Sequence, residues 1–235
     1  MTDILPISAI IPCIDEEENL MELLPYLQQH ADGMVMEIIV VDAGSQDDTI
    51  AIANSYGAIT VNSPVRNRAF QMNLGAQQAK ADILYFVHAD TRPPMDYAKV
   101  ILSNVSQGKH PGCFQYKFQS SKRILKINSW FTRFNGLFSG GGDQSLYISK
   151  LLFESLGGFD ASFCIMEDFE LVKRIRQKTD FHVLPYKMSV SARKYTENSW
   201  LKVQLANLMA FSLFLLKVKP ASIKSLYLNL LNQKK

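Results

Sequence analysis

Short apolar runs alternate with stretches of helical periodicity through the first half of the chain. Four runs are rich in β-branched and aromatic residues with almost no polar alternation: residues 7–11, 37–41, 58–61 and 83–87. Such runs are typical of strands buried on both faces of a parallel sheet. The segments after them have helical spacing: residues 17–31, 48–56, 69–80 and 96–107. The pattern predicts an α/β fold with a mostly parallel, doubly wound sheet and helices on both faces.

The alternation becomes irregular after residue 107. Residues 112–118 predict a further strand, residues 122–138 a helix rich in aromatic side chains, and residues 166–177 a helix with apolar positions at helical spacing. Three successive glycines at residues 140–142 offer a backbone that can approach a ligand closely or take positive φ values. A plain flexible turn is the alternative for these glycines.

The end of the chain predicts a helical tail over residues 197–235, after a domain of residues 1–196. Residues 203–216 carry no charge, but they are too few to span a membrane, which takes about 20 apolar residues. Residues 222–231 place their apolar side chains on one face and are amphipathic. Three alternatives stay open for the tail: packing on the domain, a dimer contact, or a peripheral position in a membrane interface.

Charge separates the tail from the body. The chain has 235 residues, 47% of them hydrophobic, which is enough for one sizeable core. Residues 187–235 contain nine Lys or Arg and one Glu, hence +8, so the net charge of +3 leaves residues 1–186 at −5. A basic tail suits an anionic surface. Nucleic acid is disfavoured as that surface, because few aromatic residues stand among the charges and no binding motif is present.

The cysteines and the N-terminus bear on the compartment. Three cysteines, Cys13, Cys113 and Cys164, are odd in number and far apart, which argues against a disulfide framework and for a reducing compartment. No basic region precedes the first apolar run, so we expect a first strand there and no signal peptide. The sequence therefore predicts a cytoplasmic protein, located at the inner face of the cell membrane if the tail binds lipid.

Acidic side chains follow several predicted strands. Residues 15–18 come after the first strand, Asp42 after the second, and Asp90 after the fourth. Right-handed crossovers place these loops at one edge of the sheet, where such folds bind ligands. An acid before a helix is also an ordinary N-cap, and we favour that explanation for most of residues 15–18. Asp42 and Asp90 stand several residues before their helices, so we favour a functional role for both.

Four segments together resemble the ordered motifs of the family 2 glycosyltransferases. They are IIPCIDEEENL, EIIVVDAGSQDDT, ADILYFVHADTRPP, and GGFD followed by MEDFELVKRIR. The resemblance covers roughly residues 5–195, and it implies the nucleotide-sugar-binding α/β fold called GT-A. The run RAFQMNLGA, residues 68–76, is further similar to small bacterial members that carry HAD in place of the usual acidic metal triplet.

The resemblance implies that the first two strand-end loops hold the nucleoside of a nucleotide-diphosphate sugar. Pro12, Ile14 and Glu16 would line the base and ribose, and Asp42 would form a charge-assisted hydrogen bond with the base. The arginines that it places near the diphosphate are Arg66, Arg68, Arg92 and Arg193. A solvated helix start is the alternative for Arg66 and Arg68.

Asp90 would bind a divalent metal, Mn²⁺ or Mg²⁺, that bridges the diphosphate oxygens. His88 stands where most members have a second carboxylate, with Ala89 between the two. An imidazole is an acceptable ligand for Mn²⁺ and a weaker one for Mg²⁺. A hydrogen bond from His88 to the nucleotide is the alternative.

Asp168 would be the general base that takes the proton of the acceptor hydroxyl in a transfer with inversion. Glu167 is its neighbour, and an ordinary first-turn acid is the alternative for both. Asp143 and Gln144, after the glycines, would contact the sugar or the acceptor.

These expectations together describe a metal-dependent inverting glycosyltransferase, similar to hexosyltransferases, that uses a nucleotide-diphosphate sugar and an unidentified hydroxyl acceptor. A lipid-linked acceptor would fit a membrane-bound tail. One alternative is a sugar nucleotidyltransferase, which normally has a Gly- and Arg-rich loop after its first strand, where this chain has PCIDEEEN. The other is a nucleotide-sugar-binding protein without turnover.

Overall fold

A computed structural model describes residues 6–136 and 139–231. Its eight described strands are β1 (Ile7–Cys13), β2 (Val35–Asp42), β3 (Ile59–Asn62), β4 (Ile83–Phe86), β5 (Thr91–Arg92), β6 (Gly112–Phe118), β7 (Leu146–Ser149) and β8 (His182–Val190). They form one sheet in the order β3-β2-β1-β4-β7-β6-β8-β5. The extreme ends of the two predicted domains, and the last two residues of the helix predicted over 122–138, lie outside the described residues.

Ten described helices surround the sheet: α1 (Glu17–Gln29), α2 (Thr49–Ser55), α3 (Arg68–Gln78), α4 (Tyr97–Ser106), α5 (Leu125–Phe131), α6 (Lys150–Ser155), α7 (Glu167–Lys178), α8 (Lys194–Glu197), α9 (Trp200–Leu215) and α10 (Pro220–Leu230). A single 3-10 turn, Gly142–Gln144, precedes β7. None of these helices is long and apolar enough to cross a membrane.

The sheet is parallel in its first half and mixed in its second. β2 pairs in parallel with both β3 and β1, and β1 pairs in parallel with β4. β7 runs antiparallel to β4 and β6, whereas β6 and β8 are parallel to each other. The loop that carries His88 and Asp90 therefore leaves the sheet where its parallel half meets the first antiparallel strand.

Two hydrophobic layers cover the two faces of the sheet. On one face, α1, α2 and α4 pack on the odd-numbered side chains of β1, such as Ile7 and Ile11. On the other face, α3, α6 and α7 pack on Ile10 and on alternating side chains of β2 and β4. This arrangement confirms the predicted α/β class with helices on both faces, because β1, β4 and the second half of β2 are buried on both sides.

Several elements were not predicted from the sequence. β8 carries Pro185, a residue that usually argues against an internal strand. The register between β6 and β8 shifts between Phe114 and Gln115, whose partners are Leu184 and Lys187, so Pro185 is left out of the ladder. β5 has only two residues, too few for any periodic pattern, and the four-residue β7 was not predicted.

The last helices form a separate small core against the body. Leu125 of α5, Tyr195 of α8, Val203 and Ala206 of α9, and Leu231 after α10 pack together in this third cluster. α9 also reaches the second layer, since the rings of Phe211 and Phe169 lie 5.5 Å apart. The predicted domain boundary at residue 196 stays a prediction.

We expect Gly75→Ala to destabilise the fold. Gly75 lies in α3, where alanine is otherwise the better helix former. A Cβ on Gly75 would stand 2.5 Å from Cγ2 of Ile10 and 3.0 Å from Cγ2 of Val41, both short, rigid methyl groups on the sheet. Overpacking of this kind costs about 1–3 kcal/mol, so urea unfolding should show a lower free energy of unfolding. Gln77→Ala, on the exposed side of the same helix, is the matched control and should leave stability nearly unchanged.

Candidate active site

One side chain of α3 forms hydrogen bonds with the ends of both β1 and β2. Gln71 is 5% exposed, and its amide nitrogen donates to the carbonyl oxygens of Cys13 (2.9 Å) and Val41 (2.7 Å). Cys13 and Asp42 are register partners, so both strands end at the same level. Gln71 therefore holds the two strand-end loops at a constant separation.

Those two loops also cap each other's helices. Asp47 accepts hydrogen bonds from the backbone N–H of Glu17 and of Thr49, each at 3.1 Å. The carboxylate of Glu17 accepts in return from the backbone N–H of Asp48 at 2.9 Å. Because these donors belong to the first turns of α1 and α2, Asp47 and Glu17 have a structural capping role, reached across the sheet edge.

Asp42 closes its own loop. Its side chain is 2% exposed and accepts from the backbone N–H of Gly44 (2.8 Å) and from both the N–H and the hydroxyl of Ser45. Gly44 has φ +86°, a conformation that L side chains rarely adopt, so the tight turn around the carboxylate needs glycine. Contact between Asp42 and a nucleoside stays a prediction, as do the contacts of Pro12 and Ile14, which lie partly exposed at the same edge.

Arg68 is the first residue of α3 and the central cation of the site. Its Nη1 lies 3.1 Å from Oε1 of Glu167, which is almost fully buried. Partial removal from water lowers the pKa of Arg68, but surrounding carboxylates outweigh this and raise it. These carboxylates are Glu167, Asp168, Asp143 and Asp90. Arg68 thus interacts with four carboxylates that come from α7, from the 3-10 turn and from the loop after β4.

Asp168 lies in the first turn of α7, behind Met166, whose φ of +67° is left-handed and unusual for a non-glycine residue. Burial raises the pKa of Asp168 strongly, and the charge of Glu167 raises it further. Arg68 and the nearby backbone amide of Gly142 oppose these effects. Asp168 is therefore a carboxylate that binds a proton more readily than usual, a property suited to a general base.

Gly142 lets two side chains of the site approach each other. A Cβ on Gly142 would stand 2.3 Å from Cε1 of His88 and 2.7 Å from Oδ2 of Asp168. Both atoms lie close to this one position, so the distance between them cannot exceed the sum of the two distances. The third of the three successive glycines has a definite role, because only glycine leaves room for the imidazole beside the carboxylate.

His88 is a neutral imidazole with free nitrogens. Burial and the charge of Arg68 lower its pKa to about 3, so a lone pair stays available at neutral pH. Within residues 6–136 and 139–231, no hydrogen-bond partner is found for either ring nitrogen. His88 can therefore accept a hydrogen bond from a ligand, donate one, or bind a metal through one nitrogen.

The pKa of Asp90 depends on burial and on charged groups of the same site. Burial raises the pKa of Asp90, and the charge of Asp143 raises it further, while Arg68 and Arg193 lower it. Burial likewise raises the pKa of Glu16, which hydrogen-bonds Asn19 and also interacts with Asp90, Arg193 and Arg68. The acids from the first and fourth strand-end loops therefore converge with the arginines from α3 and from the start of α8.

The side chains around Asp90 suit a cation with incomplete protein coordination. Carboxylate oxygens and a neutral imidazole are available from Asp90, His88 and Asp143. Among the described residues, no three His, Cys, Asp or Glu side chains are arranged as a metal site. Such a donor set fits a Mn²⁺ or Mg²⁺ ion that takes its remaining ligands from a diphosphate, as these ions commonly do.

Two predicted site residues are held away from the centre of the site. The Arg92 guanidinium donates to the carbonyls of Ala89 and Thr91 and pairs with Glu22 of α1 at 2.9 Å. The Gln144 side chain is 2% exposed; its amide oxygen accepts from the N–H of Gly140, and its nitrogen donates to carbonyls of β6 and α5's C-cap. Both residues support loops in this structure, and their contacts with donor or acceptor stay predictions.

Asn67 and Asn73, at the start of α3 and within it, make contacts that sequence reasoning did not assign. Asn67 caps α3 by accepting from the N–H of Phe70 (2.9 Å), and its nitrogen donates to the carbonyl of Ala161 (3.0 Å). Asn73 exchanges two 2.8 Å hydrogen bonds with the backbone of Phe159, in the GGFD segment. The signal available in the sequence was the repetition of amide side chains along one predicted helix. An amide carries both a hydrogen-bond donor and an acceptor, so it can pair with a backbone segment as a neighbouring strand does.

Comparison with known proteins identifies similar chains. The profile of glycosyl transferase family 2 matches residues 8–161. Glucosyl-3-phosphoglycerate synthase from Mycolicibacterium paratuberculosis is 33% identical over 98 residues, a match that covers 37% of this chain. It covers only 29% of that enzyme, so the chain spans less than a third of the relative's length.

Two solved structures have the same architecture. TarS 1-349 of S. aureus in complex with UDP-GlcNAc has a TM-score of 0.68 at 16% identity, covering 97% of this chain and 72% of that chain. The mannosyltransferase PcManGT of Pyrobaculum calidifontis, in complex with GDP-Man and Mn²⁺, has a TM-score of 0.67 at 17% identity, covering 89% and 63%. At these identities the comparison establishes the fold alone, and it confirms the predicted GT-A type.

Proposed function

The chain belongs to glycosyl transferase family 2, and on that premise we propose that it transfers a sugar from a nucleotide-diphosphate donor to an acceptor hydroxyl with inversion. The observation that carries the proposal is the position of Asp168, a carboxylate of raised pKa that lies with His88 next to Gly142 and interacts with Arg68. A candidate base and a cation that could stabilise the leaving group thus belong to a single site.

Arg68 has the charge and the position to bind the diphosphate. The ion pair with Glu167 fixes its guanidinium, and its planar fork can bind two phosphate oxygens at once. Arg193 is exposed but interacts with Asp90 and Glu16, so it extends the cationic side of the site. As the bond from the anomeric carbon to the diphosphate breaks, these charges stabilise the negative charge that develops on the leaving oxygen.

Asp168 would accept the proton of the attacking hydroxyl. The hydroxyl oxygen bonds to the anomeric carbon on the face opposite the diphosphate, its proton passes to a carboxylate oxygen of Asp168, and the nucleoside diphosphate departs. Because the new bond forms opposite the breaking one, the configuration inverts. The negative carboxylate also stabilises the positive charge that the sugar ring develops in the transition state.

The nucleoside and the metal complete the donor site. For the base and ribose, Glu16 and Asp42 would offer polar contacts. Pro12 and Ile14 would offer apolar contacts. Asp90, with His88 and Asp143, would hold Mn²⁺ or Mg²⁺, which when bound neutralises diphosphate charge. The similar structures hold UDP-GlcNAc and GDP-Man, so sugars linked to UDP or GDP are the first donors to test.

The alternatives differ in what the site must do. A sugar nucleotidyltransferase would use no general base aimed at a sugar acceptor, and the packing of Asp168 against Gly142 favours the transferase. A binding protein without turnover would keep the donor contacts but not need an acid of raised pKa. Cytoplasmic localisation and a hydroxyl acceptor carried by a lipid remain part of the proposal.

Donor hydrolysis tests the proposal directly. The purified chain is incubated with UDP- and GDP-sugars, with Mn²⁺, with Mg²⁺, or with a chelator, and the released nucleoside diphosphate is measured. We expect slow release from at least one donor, stimulated by the metal and suppressed by the chelator, because water can replace the acceptor. Calorimetric binding of a donor without any release would favour the binding protein, and release of pyrophosphate from a sugar phosphate and a nucleoside triphosphate would favour the nucleotidyltransferase.

A further inference from the structure

An exposed apolar surface lies outside the site, on α5 and α9. It consists of Trp130 and Phe131 at the end of α5, Phe134 just after that helix, and Leu201, Leu205 and Leu208 along α9. These six side chains are between 47% and 60% exposed. We call this set the apolar surface. The three aromatic rings contact one another, and the three leucines recur at helical spacing along α9, so both sets are more than the scattered exposure that is normal for a soluble protein.

The two helices belong to one packed unit. Leu125 of α5 and Val203 of α9 share a buried cluster, and the indole N–H of Trp200 donates to Oδ1 of Asn128 at 2.9 Å. α9 buries Val203, Ala206 and Ala210 against the protein, yet its opposite side is leucine. A helix that is apolar on both sides is expected where an apolar phase covers its outer side.

The charged residues of the two segments that carry the apolar surface are almost entirely basic. Between Asp96 and Asp143 the chain has no acidic residue, and the α5 region carries Lys122, Arg123, Lys126 and Arg133. The guanidinium of Arg133 lies 5.0 Å from the centre of the Trp130 ring. Residues 187–235, which include α9, contain a single acid among nine basic residues.

We propose that the apolar surface seats the protein on an anionic lipid bilayer. Tryptophan and phenylalanine beside arginine and lysine are the combination that binds at the boundary between headgroups and acyl chains. The positive charge decides the occupant: a second copy docked through the same face would bring like charges together, whereas anionic lipids neutralise them. The described helices do not span the bilayer, so the contact is peripheral.

α8 links the helices that carry the apolar surface to the candidate active site. Tyr195 of α8 packs in the cluster shared by α5 and α9, and its hydroxyl accepts from Asn128 and Gln204. Two residues earlier, Arg193 interacts with Asp90. If the proposed transfer holds, a lipid-linked acceptor could reach the site from the bilayer; the seating itself does not depend on that activity.

Vesicle sedimentation tests the seating. The full chain is mixed with vesicles of phosphatidylcholine alone or of phosphatidylcholine with phosphatidylglycerol, without any sugar donor. We expect binding to the anionic vesicles, weakened by high salt because screening acts on exposed charges. The double variant Trp130→Ser/Phe131→Ser should reduce the partition coefficient by about tenfold or more, since each lost aromatic side chain removes its buried apolar area.

The matched control is Met95→Ser/Leu151→Ser. Met95 and Leu151 are 71% and 79% exposed and lie outside the apolar surface, so this pair should bind vesicles like the wild type. Thermal unfolding checks that both double variants remain folded. The proposal is overturned if anionic vesicles do not bind the protein, if both double variants bind alike, or if sedimentation velocity shows a dimer that Trp130→Ser/Phe131→Ser dissociates. Donor hydrolysis in solution is measured separately, so loss of seating and loss of activity are distinguishable.

Discussion

Asp168→Asn will lower kcat for sugar transfer by about 10²- to 10⁴-fold, the usual contribution of a general base. Asparagine has nearly the same shape but cannot accept the hydroxyl proton. Donor binding should change little, because the diphosphate is assigned to Arg68 and Arg193 and not to Asp168. Initial rates with saturating donor and calorimetric affinity for the donor measure the two quantities. Asp180→Asn, an exposed carboxylate beyond the end of α7, is the control and should keep full activity.

The pH profile gives the same prediction a second measurement. A base acts when deprotonated, so the rate falls as the pH drops through its pKa. Burial and the charge of Glu167 raise the pKa of Asp168, so the acid limb of kcat/KM should lie well above the ordinary carboxyl value of about 3.9. The residual activity of Asp168→Asn should lack this limb. An asparagine variant that loses donor affinity together with the rate would remove the base assignment.

Gly142→Ala will reduce kcat by about 10²-fold, the scale of loss that follows a misplacement of about 1 Å. The new methyl group would stand 2.3 Å from the His88 ring and 2.7 Å from the Asp168 carboxylate. Neither group can keep its position, because real Cβ contacts are never that short. Steady-state kinetics should show the loss mainly in kcat.

Gly136→Ala is the matched control. Among the described residues, a Cβ at Gly136 meets no atom within 4 Å, and the position needs no left-handed backbone. It should leave kcat and the melting temperature close to those of the wild type. Full activity in Gly142→Ala would show that the close approach of His88 and Asp168 is not used in the reaction.

Periodicity alone located the parallel half of the fold. The four strands and four helices predicted before residue 107 correspond to β1–β4 and α1–α4 with shifts of one or two residues at most ends. These segments fold as their local pattern dictates because β1, β2 and β4 bury their apolar runs, whereas β3, at the edge of the sheet, is more exposed. The later strands β5, β7 and β8 are short, or carry Pro185, and owe their place to neighbours already in the sheet.

The arginines show the limit of sequence reasoning about the site. Arg68 and Arg92 both follow predicted strands and both suit a diphosphate. The structure pairs Arg68 with Glu167, from α7, and turns Arg92 toward Glu22, on α1. Partners 99 and 70 residues away decided their orientation, and a local pattern contains no information on such contacts.

The amino-acid sequence by itself determined the α/β class, the acids at the strand ends and, through its ordered motifs, the family. Only the tertiary structure decided that Gly142 leaves room for His88 and Asp168, that Arg68 interacts with four carboxylates, and that α5 and α9 leave large apolar side chains exposed. The physical reason is range: strand and helix patterns arise from neighbours along the chain, whereas charge, burial and exposed area depend on which distant segments pack together.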